Sequence, residues 1–300
     1  AIGYFMRRIP TARDTVDYAS VPSWPEYYFR IEFSNWLRRA ADSLVPPANR
    51  LLSRAFDLNQ LVATYCCVKV GWPDILSHGV QSGRFLAEHA NMSKLMTRRL
   101  MRACVVANIF HEVPISYDSV DDDDRLYANS AMGDALREDH PSRSKHFFQF
   151  YYEDMAPAQM QLWHTLKNDS MMPFSLAHGY PVDLPALFVY YSSRPAKAIQ
   201  FNMGMTGVDG QGAGAVLHDF PWGARCKTII DVGGGHGSFL ANIFRKHPTL
   251  RGVLFDTPAV IGEAEAFLNN SHKDILDRIS FARGDFFDAA TIPASAGAGT

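Results

Sequence analysis

Three glycines at alternate positions follow a short apolar run that carries an acid near its end. The glycines are Gly233, Gly235 and Gly237, and the run is Thr228 to Val232, which includes Asp231. β-Branched and aliphatic residues in such a run are typical of a buried parallel strand, and glycines permit a tight bend that brings backbone close to a ligand. Because the next segment is patterned like a helix, its free N–H groups would point to the same place. The stretch therefore predicts a ligand-binding turn.

The spacing of these glycines argues against two common ligands. A dinucleotide fingerprint has glycine or alanine at the sixth position of G-x-G-x-x-G, and that position is Ser238 here. No G-K-[ST] sequence follows, so a nucleoside triphosphate is not favoured either. The pattern is G-x-G-x-G, and its ligand must be inferred from the segments that follow it.

Acids occur at the ends of the next two predicted strands. Asp256 ends the strand in RGVLFDTPAVI, and Asp285 with Phe286 follows the strand in DRISFARGDFFD. An acid at the second strand end can accept hydrogen bonds from both ribose hydroxyls, and an acid beside an aromatic ring suits adenine. Ordinary strand-end turns would explain each acid singly but not the ordered set. The set predicts an adenosyl ligand without a pyrophosphate, which is S-adenosylmethionine.

The chain also resembles the plant- and fungal-type small-molecule O-methyltransferases, the family of caffeate, flavonoid and hydroxyindole O-methyltransferases. The resembling stretches, which fall within roughly residues 50 to 288, are DVGGGHGSFLANIFRKHP, RGVLFDTPAVI, DRISFARGDFF, PFSLAHGYP, FNMGM and YANSAMGDALREDHP. The resemblance implies an α/β chain, in which a helical, winged-helix-like dimerisation domain precedes a Rossmann-like class I methyltransferase domain. It also implies a small aromatic hydroxyl compound as the methyl acceptor.

The resemblance assigns site residues by position. The implied cofactor-binding residues are Asp231, Gly233, Gly235, Gly237, Asp256, Asp285 and Phe286. Phe201, Asn202 and Met205 match the helix that lines cofactor and acceptor in the family, and Phe174 is expected beside them. From spacing alone, Phe201 and Met205, one helical turn apart, would be interpreted as core residues.

The catalytic base is left unassigned. In the family it is a histidine after the fourth strand, whereas this sequence stops at Thr300, after the third strand unit. His236, His164 and His178 are interpreted as packing, capping or exposed residues, because none matches a family position that transfers protons. We therefore expect a C-terminally truncated methyltransferase domain, incomplete after its third strand. Either a natural C-terminal part is missing or another chain covers the exposed first strand.

The elements around the site suggest three regions. Residues 1–45 form an aromatic and basic extension with one helix from Glu26 to Leu44, residues 46–165 the helical domain, and residues 166–300 the partial methyltransferase domain. A helix from about Asn49 to Val70 is apolar on nearly all sides, which predicts burial in a domain or a homodimer. Hetero-assembly is the alternative.

Further elements are expected within these two domains. Two short helices and a strand are predicted over residues 82–113, with Ser93 capping the second helix, whose core face would be Leu95, Leu100, Cys104 and Ala107. An acidic hairpin tip follows, and its four consecutive acids, 121–124, would repel phosphates, so we reject DNA binding. Residues 192–218 are expected to form a helix followed by a glycine-rich loop.

Composition limits the remaining possibilities. The 300 residues are 47% hydrophobic and carry a net charge of −2, which gives no electrostatic reason for a nucleic-acid or anionic-membrane partner. Four cysteines without C-x-x-C spacing favour a reducing compartment, the cytoplasm or an organellar matrix. No apolar run is long enough for a membrane span, and a cleaved N-terminal targeting segment would fit a chain that starts at Ala1.

Two functions from different classes follow. The first is an S-adenosylmethionine-dependent O-methyltransferase. The second is a non-catalytic relative that serves as a structural or assembly subunit of a larger complex, and the aromatic N-terminal extension, which methyl transfer does not need, favours it.

Overall fold

The computed structural model describes residues 24–113, 125–168, 171–180 and 186–293, and these fall into two units. The first unit comprises residues 33–207, and the second comprises residues 24–32 with residues 208–293. The division at 207/208 lies C-terminal to the boundary predicted from the sequence at 165/166. Each unit has its own cluster of buried hydrophobic residues and is described by itself.

Helices dominate the N-terminal part of the chain. The elements are α1 (Trp24–Ser43), α2 (Pro47–Val70), α3 (Trp72–Leu76), β1 (Gln81–Ser82), α4 (Gly83–His89), α5 (Lys94–Val106), β2 (Phe110–Val113), β3 (Leu126–Asn129) and α6 (Ala131–Ala135). They continue with α7 (Ser144–Phe150), a π-helical turn (Tyr151–Met155), α8 (Ala156–Met160), α9 (Leu162–Thr165), α10 (Pro173–His178), α11 (Ala186–Ser192) and α12 (Pro195–Asp219). The predicted helices at 26–44 and 49–70 are confirmed to within two residues.

Helix α2 has two different halves. Proline at its first position suits a helix start, and the helix ends at Gly71, whose φ of +80° is the left-handed conformation common after helices. Its C-terminal half buries Ala63, Cys67 and Val68 in the core of the first unit. Its N-terminal half leaves large apolar side chains exposed, including Leu51 at 71% and Phe56 at 59%. The predicted burial of this helix therefore holds, within the described chain, only for its C-terminal half.

A small antiparallel sheet follows α2, in the order β1-β3-β2. Two short helices precede its second strand, as predicted, and β2 pairs with β3 from Phe110 opposite Asn129 to Val113 opposite Leu126. The acidic segment between these two strands lies outside the described residues.

The predicted core face of α5 is wrong in part. Leu95 is 42% exposed, because it lies about 200° around the helix from Thr97, whereas Thr97, Met101 and Cys104 are buried. These three residues follow the i, i+4, i+7 spacing of one helix face. Leu100 and Ala107 are only partly buried, and they pack against the core. Ser93 holds the capping position, but its side chain makes no capping hydrogen bond.

The glycine-rich loop predicted to follow a helix within residues 192–218 is also wrong, because α12 runs without interruption from Pro195 to Asp219. Glycine disfavours helix, but packing can outweigh this low propensity. A Cβ built on Gly207 would lie 2.1 Å from the Ser142 carbonyl oxygen, and one on Gly204 would lie 2.9 Å from Cα of Phe147. These two glycines are therefore required where α12 approaches the backbone near residue 145.

The second unit contains three parallel strands in the order β4-β5-β6. The elements after α12 are α13 (Trp222–Arg225), β4 (Thr228–Val232), α14 (Ser238–Lys246), β5 (Arg251–Asp256), α15 (Pro258–Ser271), a 3₁₀ helix (Lys273–Arg278) and β6 (Ile279–Arg283). Val232 pairs with Phe255 and Asp256 pairs with Arg283, so the strand ends meet at one edge of the sheet. The predicted strand, turn, helix and second and third strands are confirmed.

Helices α14 and α15 bury their apolar faces against this sheet. The shared core includes Leu240, Phe244, Leu254, Ile261 and Leu268, all fully buried. In the described part of the chain β4 pairs only with β5, and Val232 at its end is 47% exposed. No helix among the described residues is both long and apolar enough to cross a membrane.

Candidate functional site

The turn after β4 is held in left-handed backbone conformations. The φ angles of Gly233, Gly235 and Gly237 are +73°, +56° and +78°. Residues with a Cβ rarely adopt such φ angles, so this turn requires glycine at these three alternate positions. Gly234, between them, has a different role. A Cβ there would lie 2.4 Å from Cδ1 of Leu254, so its glycine permits close packing of the turn on β5.

Asp256 closes this turn from the end of β5. Its Oδ2 accepts a hydrogen bond from the Gly235 N–H at 3.0 Å, and its Oδ1 accepts one from the Thr257 N–H at 2.7 Å. The backbone N–H of Gly233 also donates to the Phe255 carbonyl at 2.8 Å. A carboxylate can accept about four hydrogen bonds, so both oxygens retain acceptor capacity. The residue predicted to bind ribose therefore also fixes the glycine turn.

The turn leaves room beside its backbone. A Cβ built on Gly235 meets no atom of the described residues within 4 Å. Helix α14 begins at Ser238, and its N-cap residue is Gly237, which has no side chain. N–H groups in the first turn of a helix lack intrahelical partners, so the turn and the helix start offer donors to a ligand.

The third strand end contributes an aromatic ring. A Cβ on Gly233 would lie 3.8 Å from Cε1 of Phe286, so this ring lies beside the glycine turn. Asp285 is exposed, and its Oδ1 accepts a hydrogen bond from the Phe287 N–H at 2.9 Å. The structure thus brings Asp256, Phe286 and the glycine turn together at one sheet edge, with Asp231 in β4 just before the turn.

His236 is buried inside the turn. Its ring stacks on Phe267 with centroids 5.2 Å apart, and its Nε2 lies 3.4 Å from Oε2 of Glu263. His178 packs on Phe174 in the first unit, with ring centroids 4.3 Å apart, and His164 is exposed. All three placements agree with the packing or exposed roles inferred from the sequence.

The other predicted pocket residues belong to an aromatic cluster of the first unit. Phe201 stacks on Tyr191 at 4.7 Å, and Phe174 meets Tyr190 edge to face at 5.4 Å. The cluster comprises Phe150, Tyr190 and Tyr191, with Phe147, Tyr151, Met155, Phe174, Tyr180, Leu187, Ala198, Phe201 and Met205 packed against them. Asn202, next to Phe201 in α12, is half-buried.

Sequence reasoning missed two acids beside this cluster. Glu153 and Asp154 lie in the π-helical turn, and Lys197 forms ion pairs with both. Burial opposes ionisation of Glu153, but hydrogen bonds from Lys197, Lys69 and Tyr65 outweigh it and lower its pKa to about 2. The adjacent acids in the otherwise aromatic stretch HFFQFYYEDM were the only sequence signal, because their partners are distant along the chain.

A family model described as an O-methyltransferase domain matches residues 160–298. The 8-amino-8-demethylriboflavin N,N-dimethyltransferase of Streptomyces davaonensis is 30% identical over 80% of this chain and 65% of its own length. The chain spans 60 to 65% of the length of the first curated relatives that it matches.

Solved structures show the same likeness. The crystal structure of the Streptomyces riboflavin dimethyltransferase has a TM-score of 0.67 and 30% identity, covering 82% of this chain and 69% of that one. Human N-acetylserotonin methyltransferase, in complex with S-adenosylmethionine, has a TM-score of 0.70 with 81% and 68% coverage. Its identity is 19%, so this second likeness concerns the fold alone.

Proposed function

The chain belongs to the family of S-adenosylmethionine-dependent O-methyltransferases, and we propose that it takes part in methyl transfer from this cofactor to a hydroxyl of a small aromatic acceptor. The observation that carries the proposal is the left-handed glycine turn closed by Asp256. The named relatives are methyltransferases, which gives no support to a non-catalytic assembly subunit.

The residues at the sheet edge fit the cofactor. S-adenosylmethionine supplies a methyl group on a positively charged sulfur. Asp256 would accept hydrogen bonds from ribose with its remaining lone pairs, while Phe286 and Asp285 would contact adenine. The backbone beside Gly235 would approach the ligand where the structure leaves space. Asp231, Gly233 and Gly237 would maintain the shape of the turn.

The aromatic cluster supports an aromatic acceptor. Phe174, Phe201 and Met205 are half-buried, so each is held by packing and still presents surface. Aromatic rings favour offset-stacked or edge-to-face partners, which a planar phenol provides. We propose these three residues, with Asn202, as an acceptor or cofactor pocket of the first unit.

The decisive experiment measures cofactor binding and turnover separately. Calorimetry with S-adenosylhomocysteine should show binding by the folded chain, and failure to bind would overturn the proposal. Turnover is then assayed with labelled S-adenosylmethionine and a panel of phenols, hydroxyindoles and aromatic amines. Binding without turnover would favour the non-catalytic subunit only if the natural gene product, assayed beside residues 1–300, is also inactive, because the family's catalytic histidine lies after the fourth strand.

We further propose a winged-helix-like dimerisation domain in the N-terminal half. Helices α4 and α5 with the sheet β1-β3-β2 have the corresponding order of elements. Contiguous exposed apolar surface marks interaction sites, and α2 exposes Leu51, Leu52 and Phe56. Burial of these side chains against a second copy would suit an obligate dimer, with about 2,000 Å² or more buried.

The dimer can be tested with charged substitutions. Phe56→Glu should shift sedimentation at micromolar concentration from dimer to monomer, since a carboxylate would be buried at the interface. Trp163→Glu, at an exposed aromatic residue outside α2, is the control and should remain dimeric. A wild-type monomer would contradict the dimer, and a stable complex with a different chain would favour hetero-assembly.

The four cysteines provide support for the proposed compartment. All four have free thiols in the structure, and Cys67 and Cys104 are fully buried. Free thiols suit a reducing compartment, so we propose the cytoplasm or an organellar matrix.

A further inference from the structure

The π-helical turn Tyr151–Met155 places two acids at the edge of the aromatic cluster. Such turns are rare, and they frequently occur at functional sites. Asp154 is only 1% exposed. Because a buried carboxylate is costly unless it is paired and hydrogen-bonded, its partners should reveal why it is there.

Asp154 joins two consecutive tyrosines and a lysine. Its Oδ1 accepts a hydrogen bond from the Tyr190 hydroxyl at 3.0 Å and lies 3.1 Å from Nζ of Lys197. Its Oδ2 accepts one from the Tyr191 hydroxyl at 3.0 Å. The backbone carbonyl of Asp154 accepts a bond from Nε2 of His178 at 2.8 Å. One residue therefore determines where both tyrosine hydroxyls lie.

Glu153 keeps the charges of this network in balance. Its Oε1 accepts hydrogen bonds from the Tyr65 hydroxyl at 2.8 Å and from Nζ of Lys69 at 3.0 Å. Lys197 also donates to Glu153, so this lysine bridges the two acids. Two acids and two lysines thus compensate one another, while the Tyr190 and Tyr191 hydroxyls bond to Asp154.

Each tyrosine fixes one ring of the proposed pocket. Tyr191 is stacked on Phe201, with the ring planes 19° apart, and Tyr190 meets Phe174 at 88°. The two tyrosines meet each other edge to face, with centroids 5.2 Å apart. A tyrosine ring has little freedom to shift when its hydroxyl is held by a hydrogen bond. Asp154 therefore fixes the two tyrosine rings, and these rings fix the orientations of Phe174 and Phe201.

We propose that Asp154 is a positioning residue, which orients Phe174 and Phe201 for the acceptor through Tyr190 and Tyr191. This inference rests on the proposed function, since it assumes that these two rings contact the acceptor. Hydrophobic residues of similar size could fill the same volume without the desolvation of a charge. A fully satisfied polar network instead rigidifies one arrangement, which acceptor binding would require.

The test compares Asp154→Asn with Glu153→Gln. Asp154→Asn retains the size of the side chain but loses the charge, and its amide nitrogen cannot accept a hydrogen bond, so one tyrosine hydroxyl loses the bond that it donates to Asp154. We expect the KM for esculetin or caffeic acid to rise about 10-fold, while kcat and the Kd for S-adenosylhomocysteine change by less than about 2-fold. Glu153→Gln disturbs Lys197 but not the hydroxyls of Tyr190 and Tyr191. The KM of this variant should therefore stay within about 2-fold of the wild-type value.

A double-mutant comparison separates positioning from general loss of structure. In a Tyr190→Phe, Tyr191→Phe background both hydroxyls are absent, so Asp154→Asn should add little to the increase in KM. The proposal is overturned if Asp154→Asn raises KM no more than Glu153→Gln does. It is also overturned if the effects of the aspartate and tyrosine changes simply add.

Failure of the positioning role can be distinguished from failure of the proposed function. If the wild-type protein methylates none of the panel, near-ultraviolet circular dichroism of the aromatic cluster replaces KM as the readout. Asp154→Asn should then lose much of this signal with its helical far-ultraviolet signal intact, whereas Glu153→Gln should keep both. An unchanged near-ultraviolet spectrum in Asp154→Asn would refute the positioning role.

Discussion

The glycine turn and the Asp154 network organise their surroundings in opposite ways. The turn uses backbone, within a few consecutive residues, and Asp256 completes it with a hydrogen bond from the Gly235 N–H. The network uses side chains from residues as far apart as Tyr65 and Lys197, and its bonds join hydroxyls, carboxylates and ammonium groups. A site built from backbone requires residues that can adopt its φ angles. A site built from buried charged side chains requires that each charge have its hydrogen-bond partners. The two should therefore respond differently to substitution.

The largest effect is expected from Gly235→Val. Valine strongly disfavours the left-handed φ of +56°, and its branched side chain would fill the open space beside the turn. We expect no detectable binding of S-adenosylhomocysteine by calorimetry, which is a loss of about 4 kcal/mol or more.

Gly71→Val is the matched control for backbone strain. Gly71 also has a left-handed φ, of +80°, and a Cβ there meets no described atom within 4 Å, but it lies at the end of α2. This variant should lose stability without losing cofactor affinity. Undiminished binding by Gly235→Val would show that the turn does not contact the cofactor.

Asp154→Ala should give the next largest effect, on stability and not on cofactor affinity. It removes the shared acceptor of two tyrosine hydroxyls and one of the two acids that compensate Lys197. Breaking a buried network in this way costs about 3 to 5 kcal/mol. Urea denaturation should show this decrease in the free energy of unfolding. A loss below about 1 kcal/mol would mean that the network is not closed to water.

Asp256→Ala should weaken the binding of S-adenosylhomocysteine by about 2 to 3 kcal/mol, or about 30- to 150-fold. The alanine removes both the proposed ribose acceptor and the hydrogen bond to the Gly235 N–H. Asp256→Asn, which keeps one acceptor oxygen, should fall between wild type and alanine. Equal affinities for all three proteins, measured by calorimetry, would refute the ribose assignment.

The smallest effect is a pH dependence of stability that arises in the network. The pKa of Glu153 is lowered from 4.5 to about 2 in the folded state, so the folded state binds its proton less readily than the unfolded state. Its contribution to stability is therefore complete above about pH 4.5 and is lost as the pH falls towards 2. The loss should be on the order of 1 to 2 kcal/mol. Urea denaturation at pH 6 and pH 3 should show a smaller difference for Glu153→Gln than for wild type, and identical differences would contradict the assignment.

The same contrast explains how much the sequence could predict. Gly233, Asp256 and Phe286 lie at the ends of strands that can be identified from their local sequence. The strands, the turn and the order of the site residues could therefore be predicted together. Tyr65 and Lys197 carry no local signal that they meet at Glu153, because that contact depends on packing of distant helices. The glycine-rich loop expected within residues 192–218 was wrong for a related reason. Its glycines were interpreted by their low helix propensity, whereas Gly207, the first of them, is needed for close approach to Ser142.

The π-helical turn has a consequence for insertions and deletions. A π-helical turn holds one residue more than an α-helical turn, so deletion of a single residue between Tyr151 and Met155 would yield a continuous α-helix. Residues on one side of the deletion would then rotate by about 100° relative to the other side. Asp154 would no longer face both tyrosines, although every partner would remain in the sequence. At this point the length of the chain, as much as residue identity, encodes the geometry.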